Sequence, residues 1–408
     1  MQATRGTTKR ILFVDGEACL VEGFERLLGP QEARWDILIA SEGDAALRML
    51  EAHPCDAVVT GMRLPGMDGV QFLERVRDRF PGVVRILQAG DSEKAATLRA
   101  VGVAHQFLPK PCDAGCLVQT IERACGLTST LRDNVIRRTV GAVGELPCLP
   151  RTAAALMRAL EDPDVPVSRI GHIVGQDVAI SAKVMQLANS AFFGRSQVVT
   201  TIPHAVAVLG VEVLKQLVIA AEIFRAFQPR RHIEGFALDT IQSHSHLVAA
   251  IAARLPLPKA VVPTATIAAL LHDAGKLVLA SRLPLECERI RRLTIGGRLS
   301  FQAAEEQILG ASHAEIGCCL LALWGLPPLV VSAVARHHQP AVEEGDNPPF
   351  GAPAAVYCAN LLAHEREAAV AGELPDQTSP INQEYLRAVG MEDEIAGWRA
   401  MAEMAGAL

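Results

Sequence analysis

Residues 56–69 read DAVVTGMRLPGMDG, an apolar run that leads through a Pro-Gly turn into a segment of helical period. Five apolar runs of this kind occur along the first third of the chain: Ile11–Val14, Ile37–Ala40, Ala57–Thr60, Val83–Leu87 and His105–Leu108. Strand-like runs that alternate with helical patterns are typical of parallel strands joined by helices. Residues 10–126 are therefore predicted to form an α/β doubly wound, five-stranded parallel sheet, with its site at the carboxyl ends of the strands.

Strand signals nearly vanish after Pro150, and helical patterns such as Thr264–Leu279 follow one another to the end of the chain. The segment at 127–145 is predicted to be a linking helix that the LPCLP motif at 146–150 breaks. We therefore expect an α/β domain at 1–126, the linking helix at 127–145, and an all-α helical domain at 146–408.

The charge and cysteine content limit the class of protein. The 408 residues include 39 Lys and Arg against 45 Asp and Glu, a formal net charge of −6, which disfavours direct binding to nucleic acid. Ten cysteines without a CxxC pair, and no signal peptide, predict a reduced, cytoplasmic protein. Residues 316–335 carry no charge, but Gly325, Pro327 and Pro328 interrupt them, which predicts two short buried helices and no membrane span.

Five of the twelve histidines lie on helical patterns of the second domain: His244, His272, His313, His337 and His338. Asp273 follows His272 directly, and Lys276 lies one helical turn further on. Imidazoles with one carboxylate favour a transition metal, namely Fe, Mn, Ni or Zn. Such an ion activates water for attack on a phosphodiester, and Lys276 is placed to hold a phosphate oxygen. The competing interpretation is that these histidines are ordinary core or surface residues.

The first 126 residues resemble the receiver domain of bacterial response regulators, which has a flavodoxin-like fold. The matching segments are ILFVDGE at 11–17, DAVVTGMRLPGMDG at 56–69 and FLPKP at 107–111. The resemblance implies phosphoryl transfer to an aspartate after the third strand. It also implies an acidic pair that holds Mg²⁺, a Ser or Thr that senses the phosphoryl group, and a Lys that neutralises it.

Three positions of that implied site lack its chemistry. The acceptor, second acidic and Ser/Thr positions hold residues without the required side chain: Gly61, Gly16 and Ala89. Asp15 and Lys110 are kept, and we expect them to pair across the vacated pocket. The domain is therefore predicted to be a phosphorylation-incompetent, Mg²⁺-free pseudo-receiver that serves as a dimerisation or docking surface or as a constitutively set regulator. Asp68 is interpreted as a turn residue.

The second domain resembles the HD phosphohydrolase superfamily, and its HDOD branch more closely. The HD-like segments are LLHDAGKL at 270–277, HAEIG at 313–317 and the pair at 337–338. The HDOD-like segments are LPCLP at 146–150, IGHIVGQDVAISAKVMQLANSAFFG at 170–194 and TIPHAVAVLGVEVLKQLVIA at 201–220.

The HD resemblance implies metal ligands at His244, His272, Asp273, His313, His337 and His338. Two positions depart from that pattern, because the late aspartate falls at Asn360 and an acidic position before the first histidine is Thr240. The Gly-Tyr-Pro loop of related cyclic di-GMP phosphodiesterases is absent after His338. The resemblance therefore allows one metal ion rather than two.

HDOD domains are generally taken as non-catalytic members of bacterial signalling proteins. The two resemblances together imply a two-component signal-transduction regulator that acts through protein–protein contact with other signalling proteins, with a homodimer as a further option. The alternative is a metal-dependent HD-type phosphohydrolase or phosphodiesterase, or a module that binds cyclic dinucleotides.

Overall fold

The structure is a computed structural model that describes ten stretches of the chain. These are residues 8–17, 35–128, 134–144, 146–162, 164–193, 198–220, 237–295, 299–340, 350–371 and 382–404.

The first part of the chain forms a parallel sheet. The strands are β1 Lys9–Val14, β2 Trp35–Ala40, β3 Ala57–Gly61, β4 Arg63–Leu64, β5 Met67–Asp68, β6 Val84–Ala89 and β7 Gln106–Pro109. Five of them pair in parallel in the order β2-β1-β3-β6-β7, and β4 and β5 form a small antiparallel hairpin. The five predicted strands and the doubly wound arrangement are confirmed. Strands β3 and β6 are buried throughout, as expected for a sheet covered on both faces.

Four helices accompany the sheet: α1 Gly43–Ala52, α2 Gly69–Arg79, α3 Lys94–Arg99 and α4 Ala114–Thr128. Residues 18–34, between β1 and β2, lie outside the described residues. Asp68 caps α2, since its side chain accepts from the Gln71 backbone at 2.8 Å while the Gln71 side chain accepts from the Asp68 backbone at 3.1 Å. This reciprocal bonding fits the turn role expected of Asp68.

The rest of the described chain is helical. Its helices are α5 Asn134–Gly141, α6 Pro150–Glu161, α7 Val167–Gly175, α8 Val178–Ala188, α9 Ile202–Leu209, α10 Val211–Ala220, α11 Leu238–Ala252, α12 Val262–Leu271, α13 Ala274–Arg282, α14 Pro284–Thr294, α15 Phe301–Leu309, α16 His313–Leu323, α17 Pro328–Ala335, α18 Ala352–Ala371, α19 Gln383–Ala388 and α20 Ile395–Met404. The all-helical prediction is confirmed.

Two predicted helices differ from the structure. The pattern Thr264–Leu279 is divided into α12 and α13, with His272 and Asp273 at the break. In the described part of the predicted linking segment, α5 ends at Gly141, and Gly141 approaches the sheet domain closely, since a Cβ there would lie 2.1 Å from the Pro81 carbonyl oxygen. The uncharged stretch 316–335 does form two helices, α16 and α17, around a turn with Gly325 at φ +78°. In the described part of the chain, no helix has the length and apolar character needed to cross a membrane.

The two domains share a continuous buried core and a set of buried polar contacts. Lys183 of α8 is 2 % exposed and donates to the carbonyls of Val101 at 2.9 Å and Gly144 at 2.7 Å. The side chain of Gln106 donates to the Leu323 carbonyl at 2.6 Å. The β7 side of the sheet domain is therefore packed against the helical domain of the same chain.

Candidate functional site

The receiver-like pocket lies where the central strands end. Asp15 follows β1, Gly61 ends β3, Ala89 ends β6, and Lys110 follows β7. The Lys110 ammonium contacts Asp15 Oδ2 at 2.6 Å, and Asp15 is 1 % exposed. The expected ion pair across the pocket is therefore present.

This ion pair fills the space in which an acceptor side chain would stand. A Cβ built on Gly61 would lie 2.5 Å from Asp15 Oδ2 and 2.9 Å from the Lys110 ammonium nitrogen. A Cβ on Gly16 would meet the Pro65 ring at 3.0 Å. Contacts under about 3 Å are not tolerated, so any side chain at position 61 has to displace the pair.

The second site gathers side chains from five parts of the helical domain. His244 lies on α11, His313 begins α16, and Asn360 lies on α18. The dyad His272–Asp273 lies between α12 and α13, and the pair at 337–338 follows α17. The structure thus brings all seven predicted ligand positions to one place, although it does so through a helix break that the sequence pattern did not indicate.

A close helix crossing places the dyad beside His313. A Cβ on Gly275 of α13 would lie 2.0 Å from the His313 carbonyl oxygen, and Gly317 packs on the same crossing. The Ser312 side chain caps α16 in a reciprocal arrangement with Glu315, which sets His313 as the first helical residue. Glycine at 275 is therefore required for the two helices to approach.

Three imidazoles are held by their Nδ1 atoms. The Nδ1 of His272 contacts the Ala269 carbonyl at 2.7 Å, and the Nδ1 of His337 contacts the Val334 carbonyl at 2.6 Å. The Nδ1 of His313 contacts the buried Glu305 carboxylate at 2.6 Å. Because these oxygens only accept, each Nδ1 carries the hydrogen, and in the neutral ring each Nε2 presents a lone pair.

The Nε2 atoms converge on Asp273. His313 Nε2 lies 3.3 Å from Asp273 Oδ1, 3.2 Å from His337 Nε2 and 2.9 Å from His338 Nε2. His272 Nε2 and Asp273 Oδ1 are buried without a hydrogen-bond partner among the described residues. Facing lone pairs repel unless a proton or cation lies between them, and an imidazole–carboxylate donor set suits a transition metal. The residues therefore fit one such ion.

The protonation states also suit a cation. Burial lowers the pKa of His272, and it holds the pKa values of His337 and His338 well below their ordinary range. Burial alone would raise the pKa of Asp273, but its interactions with His272 and Lys276 outweigh burial and hold that pKa well below its usual value. His313 differs from the other three rings, because the Glu305 carboxylate and the hydrogen bond to Asp273 outweigh burial and raise its pKa. Lone pairs and a carboxylate charge are thus present together in a buried site.

His244 is held differently, by residues that the sequence analysis missed. Its Nδ1 contacts the Glu367 carboxylate at 3.0 Å, its Nε2 contacts Asn360 Oδ1 at 3.0 Å, and the His364 ring stacks on it at 4.4 Å. Hydrogen bonds from His244 and His364 outweigh burial and lower the pKa of Glu367 to about 2. The spacing of Asn360, His364 and Glu367, four and then three residues, was the signal for a shared helix face.

The described residues form three groups whose possible ligand atoms lie within 4.8 Å of one another. The groups are His313, His337 and His338; His244, His272 and Asp273; and His244, His364 and Glu367.

A cavity of about 300 Å³ opens beside the cluster. Its wall includes Asp273, Lys276, Thr240 and Glu367, so the acidic group absent at 240 is supplied from α18. The predicted phosphate ligand Lys276 instead contacts Asp273 Oδ2 at 2.7 Å, and its ammonium lies 5.6 Å from the centre of the Phe301 ring.

Comparison with known proteins matches two families. Residues 11–122 match the response regulator receiver domain, and residues 146–340 match the HDOD domain. An uncharacterised protein of Treponema pallidum (strain Nichols) is 28% identical over 200 residues, which are 48% of this chain and 38% of that protein. The hydrogenase transcriptional regulatory protein HoxA of Cupriavidus necator is 30% identical over 116 residues, which are 28% of this chain and 23% of HoxA. The chain thus spans well under half the length of both relatives.

Two solved structures resemble parts of the chain. The MmoQ response regulator of Methylococcus capsulatus str. Bath is 24% identical, with a TM-score of 0.48, over 62% of this chain and 98% of that one. The signal receiver domain of an HD domain-containing protein from Pseudomonas fluorescens Pf-5 is 27% identical, with a TM-score of 0.31, over 33% of this chain and 98% of that one.

The parallel sheet and the helical domain together define a fusion that fits a response regulator of signal transduction. Its sheet domain is a response regulator receiver domain, and its helical domain is an HDOD domain.

Proposed function

We propose that this chain is a cytoplasmic regulator with a pseudo-receiver, whose HDOD domain acts through contact with another signalling protein. The observation that carries the proposal is the Lys110–Asp15 ion pair, which stands 2.5–2.9 Å from the point where a Cβ at position 61 would lie. A glycine has no oxygen to accept a phosphoryl group, and a carboxylate already paired with an ammonium is a poor Mg²⁺ ligand. The receiver accordingly uses no Mg²⁺.

The domain packing supports output by contact. The β7 side of the receiver is bonded to α8 and α16 of the HDOD domain through Lys183 and Gln106. A receiver that is packed in this way presents a fixed composite surface without a phosphorylation step. The partners in this proposal are other signalling proteins, with a second copy of the chain as a further partner, and nucleic acid is not one of them.

The experiment for the receiver is labelling with a small phosphodonor in the presence of Mg²⁺. The whole chain should incorporate no phosphoryl group and form no beryllofluoride complex. A Mg²⁺-dependent adduct would refute the proposal, and the Asp68→Asn variant would then identify whether Asp68 had accepted it. Light scattering of the same sample tests the homodimer, which a purely monomeric chain at high concentration would contradict.

A second candidate function has its own supporting observation. The Nε2 of His272 and the Oδ1 of Asp273 have no hydrogen-bond partner among the described residues, and Asp273 Oδ1 lies 3.3 and 3.8 Å from the Nε2 atoms of His313 and His337. Asp273 also lines a cavity that contains Lys276. We infer that His272, Asp273, His313 and the pair at 337–338 hold one Fe, Mn, Ni or Zn ion. Such an ion supplies activated water and charge for phosphate-ester or cyclic-dinucleotide chemistry.

Metal analysis separates the two functions. The second candidate function predicts about one equivalent of metal in the purified wild-type chain and no metal in the His272→Ala variant. His204 is exposed, so the control variant His204→Ala should retain the metal. Metal-free wild-type protein that leaves cyclic di-GMP intact would exclude the enzyme and leave the contact function.

A further inference from the structure

Arg291 lines the cavity beside the histidine cluster and forms no ion pair with any carboxylate in the described part of the chain. It lies on α14, and its Nε is buried and has no hydrogen-bond partner in the described part of the chain. The neighbouring Arg292 is different, since its side chain is 75% exposed and lies 3.8 Å from Glu288. Arg291 is partly exposed, so its Nε is the buried polar atom that lacks a partner, and leaving such an atom unbonded is costly. A ligand in the cavity would supply the missing acceptor.

The other ionic groups of the cavity wall already have partners. Lys276 contacts Asp273 at 2.7 Å, and His244 contacts Glu367 at 3.0 Å. Among the described wall residues, Arg291 is thus the cation whose charge no carboxylate balances. A planar guanidinium binds phosphate oxygens in a bidentate manner and is weakly hydrated, so phosphate is its natural ligand in a half-enclosed cavity.

The remaining wall and the volume limit the ligand. Ile241, Leu279 and Phe301 make most of the wall apolar, and about 300 Å³ is the lower end of the size range for small-molecule sites. A phosphate ester with one organic group of mononucleotide size or less fits this space, and a cyclic dinucleotide is too large for it.

We propose that Arg291 forms the phosphate subsite of a small phosphate-monoester pocket. The proposal deepens the second candidate function, because the phosphate then lies in the same cavity as Asp273 and the metal position. Arg291 contributes charge and a two-point contact, whereas the apolar wall holds the organic group.

The test is calorimetric titration of the whole chain with inorganic phosphate, AMP and cyclic di-GMP at constant ionic strength. Wild-type protein should bind AMP more tightly than phosphate and should not bind cyclic di-GMP. Arg291→Gln should weaken AMP binding by about tenfold or more, and Arg291→Lys should restore part of it. The matched control Arg292→Gln should change it less than about twofold.

The outcomes distinguish this inference from the function on which it rests. Arg291-dependent AMP binding in metal-free protein supports the phosphate pocket and removes the metal function. Metal-loaded wild-type protein that binds neither phosphate nor AMP, or an Arg291→Gln variant that binds AMP normally, overturns the pocket. Equal affinity for phosphate and AMP overturns the monoester assignment. Thermal unfolding of each variant shows whether the fold is retained, and Arg291→Lys keeps the test valid if Arg291→Gln is destabilised.

Discussion

The receiver pocket and the histidine cluster each lack some side chains that the sequence resemblances imply, yet their remaining polar atoms are arranged in opposite ways. In the receiver pocket, Asp15 and Lys110 have closed on each other at 2.6 Å. In the cluster, the Nε2 of His272 and the Oδ1 of Asp273 are buried and have no hydrogen-bond partner among the residues that the structure describes.

The difference lies in whether a second contact fixes the orientation of each side chain. Lys110 is a flexible chain that reaches the nearest carboxylate once position 61 is empty. The cluster imidazoles are fixed at Nδ1 by the Ala269 and Val334 carbonyls and by Glu305, so their lone pairs cannot turn away from one another. In the receiver pocket, which we propose to be inactive, the remaining charged groups pair with each other. In the histidine cluster, which we propose to bind a ligand, the polar atoms are fixed in place without a partner among the described residues.

The largest effect is expected from Gly275→Ala, which would disrupt the helix crossing that places Asp273 beside His313. The new Cβ would lie 2.0 Å from the His313 carbonyl, a backbone atom, so α13 and α16 must separate. We expect a loss of about 3 kcal/mol in the free energy of unfolding, measured by denaturant titration, together with loss of metal. The control is Gly397→Ala on α20, where nothing lies within 4 Å of the new atom and the helix should gain about 0.5–1 kcal/mol. Equal stability of the two variants would contradict the close crossing.

Lys110→Met tests the closed receiver pocket. Asp15 is 1 % exposed, so removal of the ammonium leaves a buried carboxylate without its partner. The free energy of unfolding should fall by about 2–3 kcal/mol at neutral pH, less than for a fully buried pair because Lys110 is partly exposed. Lys94→Met is the control, since its pair with Asp91 spans 3.6 Å at the surface and should contribute under about 1 kcal/mol. If Lys110→Met leaves the free energy of unfolding unchanged, the ion pair does not stabilise the pocket.

Glu305→Gln tests the support behind His313. The substitution keeps the shape of the side chain but removes the charge that holds the Nδ1 hydrogen at 2.6 Å. Metal affinity, measured by competition with a chelator, should fall about 10–100-fold. Glu306→Gln, one residue further on and exposed, should leave the affinity unchanged. If both variants bind metal equally well, Glu305 has no role in orienting His313.

Much of the fold follows from local patterns, and the exceptions have tertiary causes. The strands were predictable because short runs rich in β-branched residues, such as Ala57–Thr60, alternate with helical patterns and are bounded by turn signals. The break at His272–Asp273 was not, since the apolar periodicity of 264–279 continues through it. Only the contact between Gly275 and the His313 backbone, 38 residues away, explains why α13 takes its own direction.

The site was predictable to the extent that its members carry a motif. His272, Asp273 and His313 stand in recognisable segments, so their proximity could be expected. Glu367 contacts His244 across 123 residues of sequence. The spacing from Asn360 places Glu367 on the same helix face, but it does not show that this face meets His244. The same holds for the Lys110–Asp15 geometry, where the motif indicated the partners but only the structure shows that Cβ space at Gly61 is occupied.

The smallest effect is expected at Asp68, which would be the receiver's substitute acceptor if the pocket were active. Its side chain caps α2 through Gln71 and contacts Arg99 at 3.1 Å, so both interactions hold it at the start of that helix. Asp68→Asn keeps the cap and should cost less than about 0.5 kcal/mol, whereas Asp68→Ala removes it and should cost about 1 kcal/mol in thermal unfolding. Gln71→Ala should resemble Asp68→Ala only in part, because it removes one of the two reciprocal bonds. An Asp68→Asn variant less stable than Asp68→Ala would show that the carboxylate charge, and not the cap, is what this position supplies.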